Sequence, residues 1–242
     1  MADGIRIFAN EVPRAHSIVY HEEAWFAGVP NGVIRLADTD ADGVAETIDR
    51  VIGNYPSGGH STRTVEFLPD GRMVVSIGSS CNVREEEDPR RAAIVIYDGS
   101  SATGERIFAS GLRNAVGLAI HPTSSELWAT NNGRDLMGDE LHPETVYIIE
   151  DGADYGWLED PQFGYEGSCA DVAAPVTEMQ ALSAPLGLAF YTGTNFPEEY
   201  LGDLFIAFHG SWNRSIPTGY SVVRLPLNGS AATGPVENFA TG

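Results

Sequence analysis

The segment Gly117-Leu-Ala-Ile120 is followed by Leu127-Trp-Ala-Thr130 and then by Thr145-Val-Tyr-Ile-Ile-Glu-Asp151, three short apolar runs separated by turns. β-Branched and aromatic runs of this length, interrupted by glycine and acidic turns, are typical of β-strands. The same order of runs occurs four times along the chain. The four copies start 47, 53 and 70 residues apart, at Ser17, Thr64, Gly117 and Gly187.

Repeats of roughly 40–50 residues with three or four strands each are typical of β-propeller blades. A fourth strand is indicated by a similar short segment that recurs three times, at Arg6-Ile-Phe-Ala-Asn10, Arg106-Ile-Phe-Ala-Ser110 and Asn238-Phe-Ala-Thr-Gly242. No stretch shows a 3.6-residue apolar period of helical length. We therefore predict an all-β fold: a single β-propeller domain over residues 1–242 with about four blades, incomplete at one or both ends. A β-sandwich with accidental echoes is the alternative.

The composition is that of a globular, strongly acidic protein. The 242 residues include 34 Asp and Glu against 14 basic residues, all arginine, which gives a formal net charge of −20. Nucleic acid and anionic membranes are excluded as partners, because both repel such a charge. No apolar run reaches the roughly 18 residues of a membrane span. The N-terminus lacks a basic and then apolar leader, so we expect no signal peptide in this chain.

The sequence Asp38-Thr-Asp-Ala-Asp-Gly-Val-Ala-Glu-Thr-Ile-Asp49 has acidic side chains at loop positions 1, 3, 5, 9 and 12, with glycine at 6. This spacing is that of an EF-hand calcium loop, in which alternating carboxylates converge on one hard cation. The predicted metal ligands are Asp38, Asp40, Asp42, Glu46 and Asp49. Because strands flank the loop, we expect a calcium-stapled hairpin. A solvated acidic turn is the alternative.

The turn Gly58-Gly-His-Ser-Thr-Arg63 precedes a core strand, where the inner end of a blade approaches the propeller axis. A neutral histidine there can accept a proton near physiological pH, as general-base catalysis requires. His60 is therefore the candidate base. His209 is a rival, because it also ends an inner strand.

One long informative stretch runs from Gly111-Leu-Arg-Asn-Ala-Val-Gly-Leu118 through Asn131-Asn-Gly-Arg-Asp-Leu-Met-Gly-Asp-Glu140 to Asp154-Tyr-Gly-Trp157. It resembles the glucose/sorbosone dehydrogenase family of soluble quinoprotein sugar dehydrogenases. Gly78-Ser-Ser-Cys-Asn82 and Ala207-Phe-His-Gly-Ser-Trp-Asn-Arg214 are similar to its sorbosone-dehydrogenase-like branch. The resemblance covers nearly the whole chain. It implies a six-bladed propeller, of which about four blades would lie here.

The resemblance implies oxidation of a sugar by pyrroloquinoline quinone (PQQ). His60 would take the proton of the substrate hydroxyl while hydride passes to C5 of the quinone. Arg113 would be catalytic, holding the quinone oxygen, and Asn114 would orient the ring. The backbone carbonyls of Gly133 and Arg134 would ligate a catalytic Ca2+ that polarises the quinone.

The family binds the three cofactor carboxylates with a lysine and further arginines, whereas this chain has no lysine. We assign Trp212 and Arg214 to the cofactor site, where Arg214 could supply one such contact. Arg113 could instead pair with acids such as Asp139 or Glu140, and the Gly133 turn could be an ordinary loop. Trp128 and Trp157 fit the core better than a cofactor stack. Cys81 and Cys169 either pair across two blades or remain free.

Three functions therefore remain open. The first is a PQQ-dependent sugar dehydrogenase with a small sugar as substrate, an external electron acceptor and a periplasmic or extracellular location, as the family implies. The second is a non-catalytic, calcium-stabilised propeller that binds carbohydrate or protein. The third is a lactonase-type propeller hydrolase, whose site would cluster Asp, Asn and Glu on a metal at the axis. The inner-strand ends offer histidine and arginine instead, which favours redox chemistry.

Overall fold

The structure is a computed structural model that describes residues 4–157 and 172–242. Its strands form four four-stranded antiparallel sheets, each built from neighbouring strands in chain order. The first sheet contains β1 (Ser17–His21), β2 (Ala24–Val29), β3 (Gly32–Ala37) and β4 (Thr47–Ile52). The second contains β5 (Val65–Phe67), β6 (Met73–Ile77), β7 (Ala93–Tyr97) and β8 (Arg106–Ala109).

The third sheet contains β9 (Ala115–Ile120), β10 (Leu127–Asn131), β11 (Glu144–Ile149) and β12 (Thr177–Met179). The fourth contains β13 (Pro185–Phe190), β14 (Leu204–Phe208), β15 (Ser221–Leu225) and β18 (Glu237–Thr241). A 3-10 turn at Glu198–Tyr200 and a small hairpin of β16 (Leu227–Asn228) and β17 (Ala231–Ala232) decorate the fourth sheet. The chain is thus an all-β, four-bladed propeller arrangement, as predicted.

The fourth strands are where the sequence prediction was partly wrong. The echo at Arg106 and the one at Asn238 are the fourth strands β8 and β18. Residues 6–10, in contrast, contain no strand. Phe8 packs against the core of the first blade, and its carbonyl accepts a hydrogen bond from Ala45 (2.7 Å), so side-chain packing replaces sheet pairing there.

The apolar cores lie between successive blades. Phe26, Val65 and Val95 belong to the cluster between the first two blades. Every residue of β6 and β7 is buried, because other blades cover both faces of the second sheet. Trp128 is fully buried between the third and fourth blades, which confirms that it belongs to the core.

A hydroxyl group on each of the first three blades bonds to a carbonyl oxygen of the next blade. Ser17 Oγ donates to the carbonyl oxygen of Arg63 (2.9 Å), and Thr64 Oγ1 donates to that of Val116. Thr130 Oγ1 donates to Leu186 O (3.2 Å) and accepts from the amide of Gly117 (2.9 Å). These bonds satisfy backbone groups at the blade junctions, where buried polar groups need partners.

The antiparallel order divides the loops between two edges of the propeller. The loops that lead into β5, β9 and β13 lie at one edge, here called the upper edge, with the β6–β7, β10–β11 and β14–β15 loops. The β3–β4 loop lies at the opposite, lower edge. Within the described ranges, no helix has the length and apolar character needed to cross a membrane.

Candidate functional site

The upper edge carries every predicted site residue except the acidic loop. His60 precedes β5, and Arg113 and Asn114 precede β9. The remaining upper-edge candidates lie in the β10–β11 and β14–β15 loops: Gly133, Arg134, Trp212 and Arg214. Because every blade repeats the same order of strands, residues that are about 150 positions apart in the sequence lie at one edge of the propeller.

His60 is held in one orientation. Its Nδ1 lies 3.0 Å from both the carbonyl oxygen and the Oγ of Ser79. A carbonyl oxygen only accepts hydrogen bonds, so the bond to it requires the proton on Nδ1 and leaves the lone pair on Nε2. No residue in the described part of the chain bonds to Nε2.

The protonated, positively charged form of the His60 imidazole is disfavoured. Burial, followed by the positive charge of Arg113, lowers the pKa of the imidazole to about 4. The ring is therefore neutral at physiological pH and can accept a proton. His209, in contrast, is exposed, and its backbone amide donates to Ala184 O (2.9 Å). Position and environment favour His60 over this rival.

Glycines allow the close approach of the segments around His60. Gly59 has a φ of +61°, and a Cβ there would lie 2.4 Å from Ser80 O. A Cβ on Gly78 would lie 2.4 Å from Asn114 Oδ1 and 2.6 Å from His60 Cβ. Gly78 therefore brings the imidazole and the amide side by side, which a larger residue would prevent.

Arg113 is buried and paired with Asp135. Its Nη2 donates to Asp135 Oδ2 (2.8 Å) and to Asn82 Oδ1 (3.0 Å), while Nε donates to Asn82 O (3.2 Å) and Nη1 to Asn132 O (3.3 Å). The expected alternative partners, Asp139 and Glu140, are not the ones it contacts, because the β10–β11 loop turns Asp135 toward it.

Two amide oxygens at this edge have no hydrogen-bond partner among the described residues. They are Asn114 Oδ1 and Asn213 Oδ1, and both are buried. Asn213 Nδ2 lies 3.5 Å from Asp135 Oδ1, which connects the β14–β15 loop to the Arg113 ion pair. Unsatisfied buried polar atoms are uncommon in folded proteins, and a bound ligand or water commonly satisfies them.

The Gly133 turn is closely packed. Its amide donates to Glu144 Oε2 (2.7 Å), and burial raises the pKa of that carboxyl to about 7. A cavity of about 30 Å3 beside the turn is lined by Gly133, Arg134, Arg113 and Trp157 among others. The Arg113 guanidinium carbon lies 5.9 Å from the centre of the Trp157 ring, so this tryptophan borders the site, whereas Trp128 lies deep in the core.

Trp212 and Arg214 differ in exposure. Trp212 is 74% exposed. The Arg214 side chain is 7% exposed and pairs with Glu140 (2.9 Å), while it also donates to Ala181 O (3.1 Å) and to Asp139 O. Of the acids expected beside Arg113, Glu140 instead pairs with Arg214, and Asp139 offers Arg214 only its backbone carbonyl oxygen. Arg214 thus connects the third and fourth blades.

The acidic loop is separate from this edge. One carboxylate oxygen from each of Asp38, Asp40, Asp42 and Glu46 lies within 4.8 Å of the others. Asp49 is outside this group, because β4 has begun at Thr47 and places it opposite Arg35. The loop connects two strands, as expected for a hairpin.

Sequence reasoning missed Ser79, Asp135 and Arg91 as neighbours of the site. Ser79 lies in the Gly78-Ser-Ser-Cys-Asn82 stretch, which was used only for the resemblance, and Arg91 lies in Asp88-Pro-Arg-Arg-Ala-Ala93. Their proximity to His60 depends on the packing of three loops. Cys81 is an exposed free thiol, while Cys169 lies outside the described residues.

The fold and this edge define a propeller with a half-buried, oriented histidine and an arginine–aspartate pair at the upper-edge ends of its inner strands. A family model described as TrAA12-like matches residues 15–152 and 152–241, and the chain belongs to this family. The family-level resemblance noted from the sequence is thereby confirmed.

Two curated relatives illustrate the family. An uncharacterized protein of Borreliella burgdorferi is 34% identical over 192 residues, covering 75% of this chain and 50% of the relative. The PQQ-dependent pyranose dehydrogenase of Coprinopsis cinerea is 25% identical over 227 residues, covering 72% of this chain and 30% of the enzyme. This chain thus spans half or less of the length of these relatives.

A solved structure supports the architecture. The holo form of the pyranose dehydrogenase PQQ domain from Coprinopsis cinerea superposes with a TM-score of 0.82 at 20% identity. The match covers 98% of this chain and 73% of that domain. At this identity the likeness establishes the propeller fold.

Proposed function

We propose that this chain forms part of a PQQ-dependent sugar dehydrogenase, in which His60 is the proton acceptor. The observation that carries the proposal is the neutral imidazole whose Nε2 has no described partner. His60 adjoins Gly78, which also adjoins the amide oxygen of Asn114, an atom without a described partner. Membership of the TrAA12-like family and the likeness to a pyranose dehydrogenase support the choice of chemistry.

The described residues fit the reacting end of a quinone. Asn114 offers an amide group without a partner, and Gly78 keeps the space beside it free of a side chain. Four of the five guanidinium N–H groups of Arg113 are engaged, which leaves one on Nη1 for a ligand oxygen. The carboxylate-binding role assigned to Arg214 has weaker support, because its side chain already bridges two loops.

Bound PQQ would supply the two-electron acceptor for the hydride that leaves the substrate carbon. His60 would accept the hydroxyl proton of the sugar at Nε2 and become imidazolium. Ser79 would keep the ring in the required orientation through the Nδ1–H bond to its carbonyl oxygen. Arg113 would stabilise negative charge that develops on an oxygen beside it, while Asp135 fixes the guanidinium.

Two cation positions belong to the proposal. The Gly133 and Arg134 carbonyls at the upper edge would hold the catalytic Ca2+, which suits oxygen ligands. The carboxylates of Asp38, Asp40, Asp42 and Glu46 would hold a second Ca2+ at the lower edge. The second ion would be structural, since the order of strands places it at the edge opposite His60.

The remaining partners follow from the chemistry. A small sugar would be the substrate, and an external electron acceptor would reoxidise the cofactor, in a periplasmic or extracellular setting. The lactonase alternative has less support, because the one cluster of three or more acidic, histidine or cysteine ligands in the described ranges lies at the lower edge.

Reconstitution of the purified protein with PQQ and Ca2+ tests the proposal. Dye reduction should depend on an aldose, and His60→Ala should lower it by at least about 100-fold, the range of general-base catalysis. His209→Ala should leave it within about twofold, because that side chain is exposed and has no described contact. Absence of PQQ binding by titration calorimetry would contradict the proposal and favour the non-catalytic propeller.

A further inference from the structure

Three arginines are buried in the described part of the chain, and two of them have no acidic partner there. Arg63, Arg91 and Arg113 are 0%, 7% and 4% exposed. Arg113 has Asp135, but among residues 4–157 and 172–242 no carboxylate pairs with Arg63 or Arg91 within 4 Å. In a protein with 34 acidic residues, a partner for each would be easy to supply.

Both guanidinium groups bind the loop that carries His60. Arg63 donates to the carbonyl oxygens of Pro56 (3.0 Å), His60 (2.9 Å) and Thr62 (2.7 Å). Arg91 lies just ahead of β7. It donates to the carbonyl oxygens of three residues, Ser57 (2.6 Å), Gly58 (3.1 Å) and Gly78 (3.2 Å).

The contacts reach the site from two sides. Five carbonyl oxygens of residues 56–62 accept bonds from the two arginines. The sixth acceptor is Gly78, the residue that packs against His60 Cβ. Both arginines therefore bind the loop that carries the imidazole, and Arg91 also binds Gly78, which packs beside His60.

This arrangement lowers stability. Burial and the neighbouring Arg91 charge lower the pKa of Arg63 to about 10, so it stays charged at neutral pH. A buried charge without a counter-charge is unfavourable even when carbonyl groups solvate it. Locally destabilising arrangements of this kind are expected at sites where function requires them.

We propose that Arg63 and Arg91 are positioning residues that fix the His60 loop, and that the positive charge of Arg91 also disfavours the imidazolium form of His60. The inference deepens the proposed function, on which it rests for the role of His60. A carboxylate in place of the carbonyl partners would neutralise the arginines and favour the imidazolium. Carbonyl groups hold the loop while leaving the two positive charges uncompensated.

Other charges also face His60. Arg113 lies on the side of β9 and disfavours the imidazolium, whereas Asp135, from the β10–β11 loop, favours it. Arg91 acts in the same direction as Arg113. The charges of Arg113 and Asp135 remain in the variants described below, so any change of the His60 midpoint reports on the substituted arginine.

Proton NMR titration of His60 tests the inference without cofactor or substrate. In the wild type the His60 Cε1–H signal, assigned with His60→Gln, should remain in its neutral position down to about pH 5. In Arg91→Met the midpoint should rise by at least about half a pH unit, since a nearby positive charge is removed. Arg72→Met is the matched control, because Arg72 is a partly exposed arginine paired with Asp70 (2.7 Å), and it should leave the midpoint unchanged.

Hydrogen exchange tests the positioning role separately. The His60 amide donates to Ser79 O (3.0 Å) and should be protected in the wild type. Arg63→Lys and Arg91→Lys keep the charge but lose the planar fork, so they should leave the midpoint near the wild-type value. Exchange of the His60 amide should become about tenfold faster in both.

Two results would overturn the inference. One is a folded Arg91→Met protein with the wild-type midpoint, and the other is wild-type exchange in both lysine variants. If Arg91→Met does not fold, the lysine variants decide alone. If the protein shows the expected NMR changes but binds no PQQ, this inference stands and only the proposed function is refuted.

Discussion

His60 Nδ1 lies 3.0 Å from the carbonyl oxygen of Ser79, and this contact determines which ring nitrogen can accept a proton. The tautomer with hydrogen on Nδ1 leaves Nε2 as the basic atom. Because burial and Arg113 disfavour the imidazolium, the ring is ready to accept a proton throughout the neutral range. Ser79 therefore fixes the orientation of the His60 ring, and the surrounding positive charge disfavours protonation of that ring.

The pH dependence of turnover follows from the His60 environment. A base with a pKa of about 4 remains active in mildly acidic solution, whereas an ordinary histidine would lose activity below about pH 6.5. In the reconstituted protein, kcat/KM for an aldose should therefore change little between pH 8 and pH 5. A loss of activity centred near pH 6.5 would show that the imidazole is not desolvated.

The same imidazole should make stability depend on pH. Its pKa in the folded state, about 4, lies below the unfolded value near 6.5, so the unfolded chain binds more protons in this window. Stability should therefore fall as the pH falls from 6.5 to 4, by about 3 kcal/mol from this group.

Urea denaturation of the wild type and His60→Gln at pH 7 and pH 4 isolates this effect. The variant should gain stability relative to the wild type at pH 4. The comparison also removes the opposite contribution of Glu144, whose pKa is raised to about 7 and which loses stabilising effect as the pH rises from 4.5 to 7. Equal pH dependence of the two proteins would contradict the assignment.

Gly78 separates Asn114 from His60, and Gly78→Ala should disturb both. The new Cβ would lie well inside contact distance of both side chains, so they would have to move. We expect a loss of about 1–3 kcal/mol of stability, typical of overpacking, and weaker PQQ binding by calorimetry. Gly187→Ala is the control, because a Cβ there meets no atom within 4 Å. Similar effects of the two substitutions would mean that the Gly78 contact has no special importance.

Thr130 joins the third and fourth blades, and Thr130→Val should weaken that junction. Valine has nearly the same shape but leaves the Gly117 amide and the Leu186 carbonyl without the hydroxyl. We expect the free energy of unfolding to fall by about 1–3 kcal/mol, measured in urea. Thr177→Val removes an exposed hydroxyl and should change stability by less than about 0.5 kcal/mol. A neutral Thr130→Val would refute the role of the hydroxyl.

The lower-edge carboxylates should make thermal stability calcium-dependent. Ca2+ that binds only the folded protein raises the melting temperature. The double variant Asp38→Asn/Asp40→Asn should remove the part of this increase that the lower-edge ion contributes, whereas Asp49→Asn should retain it, because Asp49 lies outside the cluster. Retention of the full increase in the double variant would place the ion elsewhere.

Much of the fold was predictable because each blade contains short apolar segments that recur in the same order along the sequence. The predicted strand Leu127–Thr130 lies within β10, and the predicted run from Thr145 overlaps β11. The strand β4 was missed, since its exposed outer position admits Asp49 and Arg50 and so weakens the apolar pattern. An exposed outer strand needs fewer apolar residues, so its amino-acid composition gives little indication that the segment is a strand.

The candidate site was predictable only in part. His60, Arg113 and Asn114 were identified from their motifs, but the partners that set their properties were not. Asp135 is 22 residues from Arg113, and Ser79 is 19 residues from His60. Contacts of this kind depend on the path of three loops at one edge, which local sequence patterns do not specify.

The most direct measurement is the single-turnover reduction of bound PQQ by an aldose, followed by quinone absorbance without an external acceptor. Wild-type protein loaded with PQQ and Ca2+ should reduce the cofactor, and His60→Gln should bind PQQ with similar affinity but reduce it at least about 100-fold more slowly. Reduction by His60→Gln at the wild-type rate would contradict the account.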